Sequence, residues 1–299
     1  MWSFKQNIFK NAGNTDCITG DSIGYSFAMT DAVCTSCTPQ TRNNLESKLN
    51  LLQQKSTSFS LDGTKLFISV HDNGSGSGAP DTIRTYSLST PWDLLTSSVS
   101  TVATSIDLNQ DGESDVFGHY FSPDGTLLFT CGTSLGRVVK YSLSTPWDVG
   151  TTSYVGYKTL TSSPSYIDFS PDGIYMFIVT TTLKRYTLSI PWDISTAVET
   201  QSIAFTSHDI SLQNNGYYLF SIYGGVLTKK TLSTAYDLTS VSSTDTLDLS
   251  ALMSGIDNFE SISFKDGHKF FIGNYTGNSP ANIYAFELSC SFDISGPII

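Results

Sequence analysis

The sequence predicts an all-β fold, a five-bladed β-propeller of four-stranded blades, and three observations predict it. A short turn ending in Gly recurs at Gly63, Gly125, Gly173, Gly216 and Gly267, each followed four residues later by Phe. Downstream of each turn comes an aromatic-x-Leu phrase or its decayed version, clearest as YSLSTPWD at 141–148 and YTLSIPWD at 186–193. No part of the repeat carries helical periodicity. A regular period of this size is one supersecondary unit copied side by side, and four strands joined by short turns make a propeller blade. A β-solenoid is the alternative, but its coils are shorter and lack the hairpin-and-return pattern.

Each element of the blade has its own reason. Asp62, Asp124, Asp172 and Asp266 precede the turn glycines, and Asn215 does so in the fourth copy. These are the residues a tight hairpin with positive φ takes. The second strand carries Phe67, Phe129, Phe177, Phe220 and Phe271 beside Leu66, Leu128, Met176, Leu219 and Phe270, so it is apolar on both faces and must be covered on both. The third strand places Tyr86 with Leu88, Tyr141 with Leu143, and Tyr186 with Leu188 on one face. Lys230 with Leu232 and Phe286 with Leu288 are its weaker copies. Pro91-Trp92-Asp93, Pro146-Trp147-Asp148 and Pro191-Trp192-Asp193 end that strand: Pro presets a turn, Asp bonds its own backbone, and Trp plugs the gap between units. The last two copies keep the aromatic and the Asp as Tyr236-Asp237 and Phe292-Asp293.

Blades are expected to begin near Ser56, Gly118, Ser165, His208 and Glu260. The fifth runs short of chain for an outer strand, and LESKLNLLQQ at 45–54 reads as a strand that closes the ring onto it, removing the free edges. The expected division is an irregular N-terminal extension at 1–42 and the propeller at 43–299, with 43–55 as the closing strand.

Composition narrows the function classes. The chain has 299 residues, 39% of them hydrophobic, enough for a real core, with only 14% charged. Its net charge of −11 repels phosphate backbones and anionic lipid, so no nucleic-acid partner is expected. No run approaches the length of a membrane span, and the opening MWSFKQNIFKNAG has no apolar h-region, so neither membrane insertion nor signal-directed secretion is expected. Five cysteines are an odd, sparse set, which argues against a disulfide framework. Cys131 reads as a small buried side chain. Cys17, Cys34 and Cys37 lack the fourth ligand of a zinc site, and a disulfide or plain thiols fit them better.

The sharpest local motif is DLNQDGESD at 107–115. Asp107, Asn109 and Asp111 put oxygen side chains at alternate positions, Gly112 allows a sharp bend, Glu113 offers its carbonyl and Asp115 returns a carboxylate. Calcium takes six to eight such oxygens in a flexible loop. The motif resembles the first nine positions of an EF-hand loop and, more closely, the calcium loop of FG-GAP and integrin-type propellers, D-x-N-x-D-G-x-x-D. Gly118 at the twelfth position excludes the helical version. One such loop in the array implies a structural calcium stapling the first blade to the second. For chemistry at the ring axis the polar candidates are His119, Asp168, His208 and Asp209. Gly132-x-Ser134-x-Gly136 has the Gly-x-Ser-x-Gly spacing but lies in a repeat without helical periodicity, so it is not the strand-to-helix elbow of a nucleophile, and there is no HExxH; no catalytic residue is assigned and no enzyme is expected.

YSLSTPWD with FSPDG upstream resembles repeats of uncharacterised propeller proteins of marine tailed phages, over about 56–295. Likeness to lactonase-like and WD-repeat propellers rests on the hairpin alone and is an analogy of fold. The phage resemblance implies a non-enzymatic structural or appendage protein of a virion, on capsid or tail, made in the host cytoplasm and released by lysis. Its expected partners are other virion proteins held through 1–42, a host-surface glycan, and further copies of itself. A carbohydrate-binding adhesin is the alternative, and a propeller hydrolase the third reading.

Overall fold

The computed structural model describes residues 40–44, 54–70, 81–98, 105–107, 115–249, 258–274, 283–288 and 291–294. They form five antiparallel sheets. From the axis outward the blades are β2 (Gln54–Phe59), β3 (Lys65–Val70), β4 (Thr82–Leu88); β7 (Val116–Phe121), β8 (Leu127–Gly132), β9 (Arg137–Leu143), β10 (Thr152–Thr159); β11 (Tyr166–Phe169), β12 (Tyr175–Val179), β13 (Thr182–Leu188), β14 (Ala197–Ala204); β15 (Asp209–Gln213), β16 (Tyr218–Tyr223), β17 (Val226–Leu232), β18 (Val241–Asp248); and β19 (Phe259–Phe264), β20 (Lys269–Asn274), β21 (Ile283–Glu287). In the first blade the outer position is shared by β5 (Ser97–Ser98) and β6 (Ser105–Asp107), which both pair with β4. The inner strands touch in the circular order β2, β7, β11, β15, β19 and back to β2. The fold is a five-bladed β-propeller.

The ring is closed by β1 (Gln40–Asn44), which pairs with β21 as the fifth blade's outer strand. Closure by an N-terminal strand is as expected, but it falls upstream of most of the 43–55 segment, and Gln54 opens the first blade's inner strand instead. The reason is physical. An outer strand is paired along one edge and faces solvent, so the backbone ladder selects it and apolar pattern does not: β1 reads QTRNN. The apolar spacing of 45–54 pointed elsewhere, and 45–53 lie outside the described residues.

There is no single core. Five apolar clusters sit one at each blade junction, such as Phe67, Ile83, Phe121, Leu128 and Val139 between the first and second blades. The repeat residues Phe67, Phe129, Phe177, Phe220 and Phe271 are all fully buried, as a strand covered on both faces requires. Cys131 is buried within β8.

The Pro-Trp-Asp phrase does more than end a strand. Trp92, Trp147, Trp192, Tyr236 and Phe292 all take left-handed backbone with φ between 55 and 63°. That conformation turns each aromatic back over its own blade's hairpin. The Trp147 N–H donates to the Gly125 carbonyl at 3.0 Å and that of Trp192 to Gly173 at 3.1 Å. The ring then lies on the glycine: a Cβ at Gly125 would stand 2.3 Å from Trp147 Nε1. Trp147 also packs on Phe121 of its own blade and Phe67 of the preceding one, with centroids 5.4 and 6.0 Å apart. The following Asp caps the next turn, as Asp193 does by accepting from Ser195 N–H at 3.0 Å.

A cation from the preceding blade completes four of the five locks; at Trp92 the matching register position, opposite Phe271, is Ala285. Lys140 donates to the Trp192 carbonyl at 3.0 Å, Arg185 to that of Tyr236 at 2.8 Å, and Lys229 to that of Phe292 at 3.0 Å. These cations occupy one register position, opposite Phe129, Phe177 and Phe220. In the first blade Thr85 stands there, and Lys65 of β3 reaches the Trp147 carbonyl at 2.9 Å instead. Inside the hairpins Ser60 and Ser122 donate to Asp62 and Asp124 at 2.6 Å, holding both carboxyls below the usual range.

Candidate functional site: the ring axis

The register brings five inner-strand residues to one level. Ser58, Tyr120, Asp168, Ser211 and Ser263 each pair with the repeat Phe of their own blade. All five line an axial cavity of about 320 Å³ on the hairpin side of the ring. Ser58, Tyr120, Asp168 and Ser263 are partly exposed, whereas Thr57, His119, Ile167, Ile210 and Ile262, one level deeper, are buried. The cavity thus has a polar wall and a closed floor.

Its ionisable groups act first as clasps between blades. Asp168 accepts from the N–H of Phe169 and, across the junction, of Leu212, both at 2.8 Å. Asp209 does the same with Ile210 at 2.7 Å and Ile262 at 2.9 Å. Asp81 clasps the first junction by accepting from Val116 N–H at 2.6 Å. His119 reaches from the second blade into the first, with Nε2 2.7 Å from Ser58 Oγ and Nδ1 2.5 Å from Ser69 Oγ. Burial pushes that imidazole down to about 3 and keeps it neutral.

Burial pushes the Asp168 carboxyl up to about 7, against the two amides that favour its charge, and raises Asp209 in the same way. From the usual value of 3.8 to about 7 the folded chain holds a proton on Asp168 that the unfolded chain releases. This contribution to stability is therefore complete at the acidic end and is lost as pH rises through about 7. Glu260, whose carboxyl is lowered, works with the opposite sign and loses its contribution as pH falls. In thermal melts the Asp168→Asn chain should show a flatter decline in unfolding midpoint than wild type as pH is raised across the Asp168 window. Superimposable profiles would show that Asp168 does not carry this linkage.

Below the floor the axis is crossed. The Tyr166 hydroxyl, from the third blade, donates to the Lys55 carbonyl at 2.8 Å in the first and to Glu260 Oε2 at 3.3 Å in the fifth. Glu260 also meets Lys55 Nζ at 3.7 Å and His208 Nδ1 at 3.5 Å, and the His208 ring stacks on exposed Tyr223 at 5.1 Å. Burial and the neighbouring Glu260 and Asp209 charges hold the Tyr166 phenol protonated. The sequence marks Glu260 only as a blade start, and nothing local in it points to Tyr166, Glu260 and Lys55 as axis residues. The available signal was a break in the repeat: Tyr166 is large where the equivalent positions are Gly118, Asp209 and Ser261.

Of the four polar axis candidates, Asp168 and His119 line the cavity with Asp209, and His208 belongs to the Glu260 cluster at the far end. The 107–115 loop connects the end of β6 to the start of β7. Asn109, Asp111 and Glu113 lie outside the described residues, as do Cys17, Cys34 and Cys37; the Asp107 backbone ends a strand, and Asp115 accepts from Thr133 N–H at 3.0 Å through its carbonyl. Among the described residues no three His, Cys, Asp or Glu side chains converge as a metal site.

The fold and axis define a five-bladed β-propeller with a capped polar cavity. No family model and no curated protein matches the chain. Among solved structures it is similar to the Myxococcus xanthus glutaminyl cyclase, at 11% identity and a TM-score of 0.52 over 84% of this chain and 97% of that one. It is also similar to the Kuenenia stuttgartiensis hydrazine synthase, at 15% identity and 0.44 over 76% of this chain. The Pseudomonas aeruginosa periplasmic gluconolactonase gives 13% and 0.41 over 66%. The chain spans 57% of the hydrazine synthase chain and 54% of the gluconolactonase. At these identities the likeness is one of fold.

Proposed function

We propose that this chain is a non-enzymatic display propeller, a structural or appendage protein of a phage virion held on capsid or tail through residues upstream of the ring. The observation that carries the reading is the use of the repeat. Its Phe, Trp and Asp residues are engaged in blade junctions and turn caps, and the axis is crossed by Tyr166. Loops and outer strands are then the surfaces left to meet a macromolecular partner. The axial hydroxyl–imidazole pair also fits a clasp better than a nucleophile and base. Burial leaves His119 a poor proton acceptor, and its second nitrogen faces the Ser69 hydroxyl where a catalytic histidine has a carboxylate. The phage assignment draws on the resemblance of FSPDG and YSLSTPWD. Peptide mass spectrometry of purified particles should recover the chain at a fixed ratio to the major capsid protein; particles that lack it would overturn the assignment.

The 107–115 loop is proposed as a calcium staple, because it spans the first-to-second blade connection between β6 and β7. Calcium added to chelator-treated protein should raise the unfolding temperature of wild type and leave that of Asp111→Ala unchanged. A wild-type melt indifferent to calcium would remove the staple.

A further inference from the structure

We infer that the axial cavity binds a single neutral sugar-sized polyol, with Asp168 gripping a pair of neighbouring hydroxyls. The inference goes beyond display and does not depend on where the chain is displayed. At about 320 Å³ the cavity stands at the lower end of the range for small-ligand pockets.

Its wall selects the ligand class. Among the described residues no Lys or Arg lines it, and Asp168 together with the net charge of −11 disfavours an anion. An apolar ligand would strip water from Ser58, Asp168 and Ser211 and return nothing. A metal ion finds no three converging ligands among the described residues. A polyol satisfies the wall. Each Asp168 oxygen takes one backbone N–H, and the ionised carboxylate, which predominates above about pH 7, has about four lone-pair sites, so two acceptor positions then remain for two neighbouring hydroxyls. Among the described residues the buried Ser263 oxygen has no hydrogen-bond partner, and the Ser211 oxygen takes only the Gln213 amide at 2.8 Å. Tyr120 lies within electrostatic reach of Asp168 across the same level. Trp92, Phe121 and Trp147 supply apolar surface for the C–H face of a pyranose.

The blades make this site unequal although the repeat is nearly equal. The five positions facing it carry three serines, one tyrosine and one aspartate. That asymmetry orients a ligand, as a ring of identical residues would not.

The test uses the full chain titrated separately with D-glucose, D-galactose, D-mannose and methylammonium chloride, followed by saturation-transfer NMR and by tryptophan fluorescence. At least one sugar should bind wild type with a millimolar or tighter Kd and perturb the fluorescence of the cavity tryptophans. Asp168→Asn and Ser263→Leu should each weaken it about tenfold or more. The wild-type titration stands on its own if a variant fails to fold. No binding of any of the three sugars at about 10 mM, binding of methylammonium alone, or undiminished sugar binding in both folded variants would overturn the inference.

Discussion

Trp192→Ala is expected to lower the free energy of unfolding by about 3 kcal/mol, as removal of a large packed aromatic does. The indole lies 5.9 Å from Phe129 of the second blade and 5.4 Å from Phe169 of the third, so its loss opens a void in a junction. It also lies on Gly173, where a Cβ would stand 2.3 Å from Cδ2. Gly173→Ala therefore meets two separate obstacles, the indole and a φ of +73°. The second alone costs an L-residue about 1–2 kcal/mol, and the steric part adds to it. With Trp192→Ala already in place the steric part vanishes. The double mutant should then be more stable than the two single effects predict by about 1 kcal/mol or more. Urea melts of the four chains read this directly, and simple additivity would falsify the seating of the ring on the glycine. Trp192→Gly, which relieves the left-handed strain, should be slightly less damaging than Trp192→Ala.

The second large effect concerns closure. A chain lacking 1–44 should melt several degrees lower than full length and self-associate, because β21 becomes a free edge along Ile283–Glu287. A chain lacking only 1–39 keeps β1 and should melt like full length. Equal stability of the two truncations would mean that β1 does not hold the ring. The same cut decides how attachment to a particle is tested. Removing 1–42 would take Gln40, Thr41 and Arg42 out of the closing ladder and confuse a broken ring with a lost anchor. The assembly experiment belongs at residue 39, where unchanged incorporation would exclude an anchor upstream of the ring.

These effects were unequally legible in the chain. The hairpin glycines, the doubly covered second strand and the capping aspartates were readable because each is a local requirement repeated in register, although the positive φ expected of all five glycines is taken by Gly63, Gly125, Gly173 and Gly216 and not by Gly267. The left-handed aromatics were not. Positive φ is rare for Trp, and nothing in Pro-Trp-Asp announces it; it becomes intelligible only once the ring is seen folded onto the glycine of its own hairpin. The cation locks were hidden differently. Lys140, Arg185 and Lys229 look like ordinary surface charge until the register sets each opposite a repeat Phe and beside the next blade. Apolar spacing puts the closing strand too far downstream, because a backbone ladder alone selects Gln40–Asn44.

The five blades, their order and the aromatic packing at each junction follow from the chain alone, since one apolar position recurring in every copy can be buried in only one way. The axis does not follow, because its contacts lie between copies and not within them. Tyr166 meets Lys55 and Glu260 across separations of 111 and 94 residues, and no local pattern encodes such a meeting. Closing the ring brings their three blades to one point, and that closure creates both the barrier across the axis and the polar cavity above it.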